Sequence, residues 1–196
     1  MKTIKTNFLL LVVTIIIFGV LYPLFICGIG LFFPDQAKGL PVINNGKIVG
    51  YKNIGQNFSE SKYFWDRPSA CNYNPINAGP SNLGPTNPVF LKTVEQRADT
   101  FLVHNPGVKK SDIPSELLTS SGSGLDPDVS LQGVLIQIPR VAKIRGIGYN
   151  KLKKLVDENI QKPLFGILGP EEINILKLNL ALDNLYEKHY YLYDHK

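Results

Sequence analysis

The sequence predicts an α/β soluble domain preceded by a single N-terminal transmembrane helix. Three observations point there. An uncharged apolar run fills most of the first 33 positions, the remainder has the composition of an ordinary globular domain, and that remainder mixes strand-like alternation with helical spacing.

From Thr6 to Pro34 no residue carries charge. The stretch Phe8 to Phe33 is about 26 residues, or ~39 Å of helix, against a hydrocarbon core of ~30 Å, so a tilted span fits. A cleaved secretory signal would be about half as long and would end in a small-x-small site. A lipoprotein signal ending at Cys27 needs a small residue before the cysteine, where Ile26 stands. A buried core helix would show water a polar face, and this run has none. The expected organisation is a short N-terminus over 1–7, a transmembrane helix over 8–33 and a folded domain over 35–196. Lys2 and Lys5 are the only charges before the span, so the positive-inside tendency keeps the N-terminus in the cytoplasm and exports the domain. Gly19, Pro23, Cys27 and Gly30 fall at i, i+4, i+8 and i+11, one side of a helix, and small residues there suit close packing on a partner helix in lipid. Pro23 is expected to bend the helix, with Gly19 absorbing the bend.

The formal charge is +5, and without Lys2 and Lys5 it falls to 19 basic against 16 acidic residues. That mixed surface holds no block suited to nucleic acid. Lys151, Lys153 and Lys154 read as a solvated helix face. Cys27 and Cys71 are expected at different depths, so no disulfide framework follows.

In the soluble part, Val42 to Tyr51 reads as a hairpin around Asn44-Asn45-Gly46. Lys62 to Pro88, rich in Asn, Pro, Gly and Ser, is a long loop whose aromatics (Tyr63, Phe64, Trp65, Tyr73) argue for order. Asn87 caps a helix that Pro88 opens. Its apolar positions are Leu91, Val94, Ala98, Phe101 and Leu102, and it runs up to Asn105-Pro106. A second loop covers Ser111 to Asp128. Val129 to Lys143 is expected helical with a break at Pro139, and Asn150 is expected to cap a helix through Gln161. Leu176, Leu178, Leu180 and Leu182 alternate with Lys177, Asn179, Ala181 and Asp183. Alternation says strand, although Asn174 is placed to cap a helix, so a strand running into a helix is expected.

Tests for chemistry return little. The only Gly-Lys pair, Gly46-Lys47, is followed by Ile48, so there is no P-loop. Neither Ser121 nor Ser123 has the flanking glycines of a hydrolase elbow. His104, His189 and His195 are scattered, without metal spacing. Gly146-Ile147-Gly148-Tyr149 faintly matches a potassium-channel filter, but one copy in soluble sequence reads as a helix end followed by a helix start. No Asp-Lys-Thr-Gly-Thr phosphorylation motif is present.

Tyr63-Phe64-Trp65-Asp66-Arg67-Pro68-Ser69-Ala70, Ser81-Asn82-Leu83-Gly84-Pro85-Thr86-Asn87-Pro88, Thr119-Ser120-Ser121-Gly122-Ser123-Gly124-Leu125-Asp126-Pro127 and Gln137-Ile138-Pro139-Arg140-Val141-Ala142 stand in this order. With the closing Asn174 to Asp183 stretch, they resemble the motifs of one family, the C chain of the bacterial high-affinity potassium-transporting Kdp ATPase. The resemblance runs essentially end to end. Pro80 stands where a second glycine is usual, and Asp128 where histidine is usual.

The resemblance implies a non-catalytic accessory subunit of the inner membrane, needed for assembly and raising the ATP affinity of the complex. Its implied partners are a channel-like potassium-binding subunit, a P-type ATPase subunit and membrane lipid, with no nucleic acid. ATP and potassium would be handled by those subunits, and no cofactor is expected on this chain. Since the domain is expected outside, an effect on ATP affinity would be allosteric coupling. The motif loops would supply partner contacts or structure through Arg67, Pro68, Ser81, Asn82, Gly84, Asn87, Thr119, Ser121, Gly122, Ser123, Gly124, Asp126, Gln137 and Arg140. Three other readings stay open. One is a hydrolase using Ser121, Ser123 and Asp126, which lacks an evident base. Another is a sugar- or peptidoglycan-binding module using Tyr63, Trp65 and Tyr73, for which core packing is the plainer account. The third is cation gathering at the channel entrance, which a +3 domain does not favour.

Overall fold

The computed structural model describes residues 2–163 and 165–193, with side chains up to residue 186. His195 and the side chain of His189 lie outside the described residues. The chain divides into two compact units, Met1–Pro41 and Val42–Lys196.

The first unit is the apolar helix. It runs as α1 (Lys2–Ile16), one wide π turn over Ile17–Leu21, and α2 (Tyr22–Gly30). Together Lys2–Gly30 is the one described helix long and apolar enough to cross a membrane. It starts earlier than the expected 8–33 span because nothing in Lys2 to Asn7 breaks a helix. It ends at Gly30, and Leu31 to Phe33 turn before Pro34 opens the short α3 (Pro34–Ala37). A π turn stands immediately before Pro23. Pro23 has no N–H and its ring crowds the carbonyl four residues back, that of Gly19. The preceding turn widens instead, and the Tyr22 N–H donates to the Ile17 carbonyl five residues away.

The second unit opens with the expected hairpin, β1 (Pro41–Asn44) and β2 (Lys47–Tyr51). Its two-residue turn is Asn45-Gly46 at φ 49° and 75°, the left-handed pair that matches strand twist. The long loop follows, with only a 3-10 turn over Pro75–Asn77. Helix α4 (Pro88–His104) starts as expected, the Asn87 side chain accepting from the Val89 N–H at 2.8 Å. Its buried face is narrower than expected. Ala98 and Phe101 are buried, Val94 and Leu102 half-buried, and Leu91 is exposed.

The remaining elements carry the core. Val129 is in strand, not helix. β3 (Asp128–Ser130) leads into α5 (Leu131–Leu135), capped by Ser130 accepting from the Gly133 N–H at 3.1 Å. The break falls at Ile136-Gln137, and Pro139 sits in the first turn of α6 (Ile138–Arg145), where its missing N–H costs nothing. Gly146, at φ 63°, ends α6 as expected. The next helix, α7 (Tyr149–Glu158), is preceded by Gly148, not capped by Asn150, and stops at Glu158. Ile160–Gln161 then form β4. β5 (Glu172–Asn174) lies between β3 and β4, antiparallel to both, with Ile173 opposite Val129 and Ile160. The Leu176–Leu182 stretch is not strand. It belongs to α8 (Ile175–Tyr193), where Asn174 Oδ1 accepts from the Lys177 N–H at 3.2 Å. Leu178 and Leu182, with Ile175, enter a core shared with Phe64, Phe101, Val134, Ile138, Val141, Leu152 and Ile173. The result is a mixed helix–strand domain with a small antiparallel sheet, preceded by one apolar helix. Both cysteines are free.

Candidate functional site

The motif segments 119–127, 137–142 and 174–183 converge on the irregular chain from Ser61 to Arg67. This stretch crosses the core without strand partners, so its backbone polar groups need other ones. Asn179, on α8, supplies the first set. Its Oδ1 accepts from the Phe64 N–H and its Nδ2 donates to the Phe64 carbonyl, both at 2.9 Å. Gln137 does the same for the next residue. Its Oε1 accepts from the Trp65 N–H at 2.8 Å, and its Nε2 donates to the Trp65 carbonyl at 3.2 Å and to the Gly133 carbonyl at 2.9 Å. Both amides are essentially fully buried.

Arg140, also buried, completes the clamp from α6. It donates to the carbonyls of Ser61 and Tyr63, to Gln137 Oε1 at 2.7 Å and to Asn105 Oδ1 at 2.9 Å, and its guanidinium stacks 4.7 Å from the Trp65 ring. Burial pulls its pKa down to about 10, so it remains a cation at neutral pH. One turn on, Arg145 donates to the Lys62 carbonyl and pairs with Asp183 at 2.6 Å, which also accepts from the Tyr63 hydroxyl at 3.0 Å. The aromatics raised as a sugar platform are thus engaged internally. The Tyr63 hydroxyl goes to Asp183, Trp65 lies under Arg140, and the Tyr73 hydroxyl donates to the Arg67 carbonyl at 2.6 Å.

Where this chain leaves the core it meets the Ser/Gly loop. Arg67 Nη1 lies 2.5 Å from Asp126 Oδ2. Ser121 Oγ accepts from the Gly124 N–H at 2.9 Å, and Ser123 Oγ from the Leu125 N–H at 3.0 Å, so both hydroxyl oxygens close turns. Gly55 is pinned against the same loop, its N–H donating to the Leu125 carbonyl at 2.7 Å. A Cβ on Gly55 would come within 2.7 Å of the Asp126 carbonyl oxygen. Gly124 sits at φ 69°, and a Cβ there would lie 2.8 Å from Cys71 Sγ and 2.9 Å from the Gly79 carbonyl. Arg67, Ser121, Gly122, Ser123 and Asp126 line an open cavity of about 460 Å³.

Beside it, Asp66 is only 8% exposed. Its Oδ1 accepts from the Arg67 N–H at 2.7 Å, while Oδ2 finds no partner among the described residues. Burial, with Asp126 and Asp128 nearby, pushes its carboxyl up to about 8. Glu172 is also raised, by burial and then by Asp128 and Asp126.

The other motif residues are less central. Ser81 faces Ser69, Arg97 and Ser120 across a cavity of about 330 Å³. Pro68 lines a separate cavity of about 530 Å³ with Trp65, Asp66, Tyr73 and Arg97. Asn82 is a left-handed residue (φ 55°), Asn87 is a helix cap, the Thr119 hydroxyl donates to the Ser115 carbonyl, and no described contact brings Gly84 to the clamp. In the apolar unit, Cys27 is exposed and Gly30 half-buried, and a Cβ on Gly19 would meet only Ile15 of its own helix. His104 lies against Ser61 and Trp65, away from Ser121 and Ser123. Sequence reasoning missed Asn179, Asn105 and Asp66. The one available signal was an amide, Asn179, standing between Leu178 and Leu180 in an apolar run.

Fold and site define a class: one apolar helix, long enough to cross a membrane, joined to a mixed helix–strand domain whose motif residues hold loops together. The family model described as the K+-transporting ATPase, c chain (KdpC), matches residues 4–184. The chain is 49% identical to a potassium-transporting ATPase KdpC subunit of Flavobacterium johnsoniae, over 94% of this chain and all of the relative. It is 46% identical to the counterpart in Flavobacterium psychrophilum, with the same coverage. With the KdpC subunit of Bacteroides fragilis identity is 43%, over 94% of this chain and 98% of the relative. The chain belongs to the KdpC family, the c chains of the potassium-transporting ATPase.

Asp66 gives a pH signature. In the folded state it holds its proton up to about 8, whereas an unfolded aspartate releases it near pH 3.9. Between those values the folded state binds more protons, so stability falls as pH rises, by at most ~1.4 kcal/mol per unit, and levels off above the folded value. Asp66→Asn should flatten this slope. Urea unfolding at pH 5 and pH 8 checks it. An equal slope in both proteins would remove Asp66 as its source.

Proposed function

We propose that the chain is a non-catalytic accessory subunit that supports assembly of the potassium-transporting ATPase and raises the ATP affinity of its P-type subunit. The observation that carries this reading is the use of the motif residues. Ser121, Ser123, Gln137, Arg140 and Asp126 hold backbone or one another, which suits a scaffold for partner contact better than a reacting centre. The partners are then a channel-like potassium-binding subunit and the P-type ATPase subunit, which between them handle potassium and ATP. No cofactor is assigned to this chain.

The N-terminus lies in the cytoplasm and the domain outside, on the argument from Lys2 and Lys5. The helix packs on a larger subunit through Gly19, Pro23, Cys27 and Gly30, with membrane lipid around its bulky faces. ATP then never meets the domain, and its effect on ATP affinity passes through subunit contacts.

Two measurements test this. Complex purified with and without the chain should differ in KM for ATP by roughly 5- to 150-fold, the range of an ordinary coupling energy. Ser121→Ala with Ser123→Ala should leave turnover unchanged. An equal KM and equal complex yield without the chain would refute the role. For topology, a cysteine replacing exposed Lys151, in a chain lacking Cys27 and Cys71, should react with an impermeant thiol reagent in intact spheroplasts. Labelling only after lysis would reverse the orientation.

A further inference from the structure

No described hydrogen bond ties the 81–88 segment to the clamp, yet this segment helps to close a cavity of its own. From α4, Thr93 and Arg97 stand one turn apart on the face that borders it. Three loop residues meet them: Ser69, a few positions beyond Trp65, Ser81 of the 81–88 segment, and Ser120 of the Ser/Gly loop. The cavity measures about 330 Å³, near the low end for small-ligand sites. Its polar lining is one guanidinium and four hydroxyls, and the rest is apolar. No carboxylate among the described residues lines it.

Arg97 is the charge in this lining, and it is half-buried. Its Nη1 donates to the Leu118 carbonyl at 2.9 Å and its Nη2 to Ser120 Oγ at 3.4 Å. Both partners are neutral, and its remaining N–H groups have no partner among the described residues. Burial pulls its pKa below the ordinary value. A guanidinium drawn partly out of water normally gains an acidic partner, because an unpaired charge is costly to bury.

The hydroxyls favour the same guest. In its described bonds Ser120 Oγ only accepts, from Arg97, and Ser81 Oγ only accepts, from the Leu83 N–H at 3.5 Å. Each therefore keeps its O–H proton for donation. Ser69 Oγ is held in place by the N–H groups of Cys71 at 3.2 Å and Tyr73 at 2.8 Å. Thr93 is the exception, its hydroxyl donating to the Val89 carbonyl at 2.8 Å. A cation with hydroxyl donors calls for an anion rich in acceptors. A planar carboxylate is satisfied by one edge of a guanidinium. Donors arriving from two further loops suit a phosphate, whose oxygens point apart and each accept strongly.

We infer that Arg97, Ser81 and Ser120 form a binding site for a phosphate group, either free or carried on a lipid headgroup. The test uses the full-length chain in nanodiscs of phosphatidylcholine. Inorganic phosphate is titrated at constant ionic strength, set with sodium chloride, while NMR follows the Arg97 side-chain N–H and the Ser81 and Ser120 amides. These signals should move together and saturate. Arg97→Gln, followed at the two amides, should weaken the fitted affinity roughly tenfold or more, the loss of a charged hydrogen bond. Ser81→Ala with Ser120→Ala, which leaves α4 unaltered, should weaken it by a similar factor. Adding phosphatidylglycerol to the discs separates the two sources. A lipid site would move the same signals without added phosphate, and a free-phosphate site would move them only on titration. Shifts that never saturate under either condition, or that neither variant weakens, would overturn the site. Acetate saturating at the same concentration as phosphate would overturn the assignment to phosphate.

Discussion

Two buried amides hold this domain together. Gln137 and Asn179 each bind both the N–H and the carbonyl of one residue in an extended segment that has no strand neighbours. In a sheet that pairing would come from a second backbone. Here it comes from side chains on α5–α6 and α8, and a buried peptide group left without such a partner costs about 1–3 kcal/mol. Phe64 can therefore be fully buried within an irregular stretch. Arg140 and Arg145 extend the clamp to Ser61, Lys62 and Tyr63. Fixing Trp65 in turn fixes Arg67, two residues on, where it pairs with Asp126 and so joins the long loop to the Ser/Gly loop. Four of the motif segments, 63–70, 119–127, 137–142 and 174–183, are the parts of one joint.

That joint combines strong satisfaction with local frustration. Arg140 is a buried cation whose described partners are all neutral oxygens, yet each bond is directional and the ring of Trp65 lies beneath it. Fully connected polar networks of this kind rigidify a core, since every member is costly to leave unpaired. A few ångströms of chain away, Asp66 keeps one buried carboxyl oxygen without a partner among the described residues and holds its proton up to about pH 8. The contrast sets a fully satisfied element at Gln137, Arg140 and Asn179 beside a buried, incompletely satisfied carboxyl at Asp66.

The sequence was most legible where a single period or a single residue decides the structure. The apolar run could only be a long helix, Asn45-Gly46 could only turn, and Asn87-Pro88 and Gly146 mark helix ends by their own chemistry. It was least legible at α8. There Ile175, Leu176, Leu178, Asn179 and Leu182 are buried, a helical spacing and not an alternating one. The polar Asn179 occupies one of those places, so the eye follows the alternating leucines and reads a strand. The residue that hid the helix is the one that clamps Phe64. Strands β4 and β5, two and three residues long, are set by tertiary pairing and leave no periodic trace. The motif loops were visible as a group. Their roles were not, because capping, clamping and turn closure all use the same Ser, Asn and Gly.

The most direct test of this account is amide hydrogen exchange at Phe64 and Trp65. Although both lie in a segment without regular secondary structure, their N–H groups should exchange as slowly as those of Val134 and Val141 in the core helices, opening only with global unfolding. Exchange at the rate of the exposed 82–84 loop would show that Gln137 and Asn179 do not hold this segment, and the joint described here would not exist.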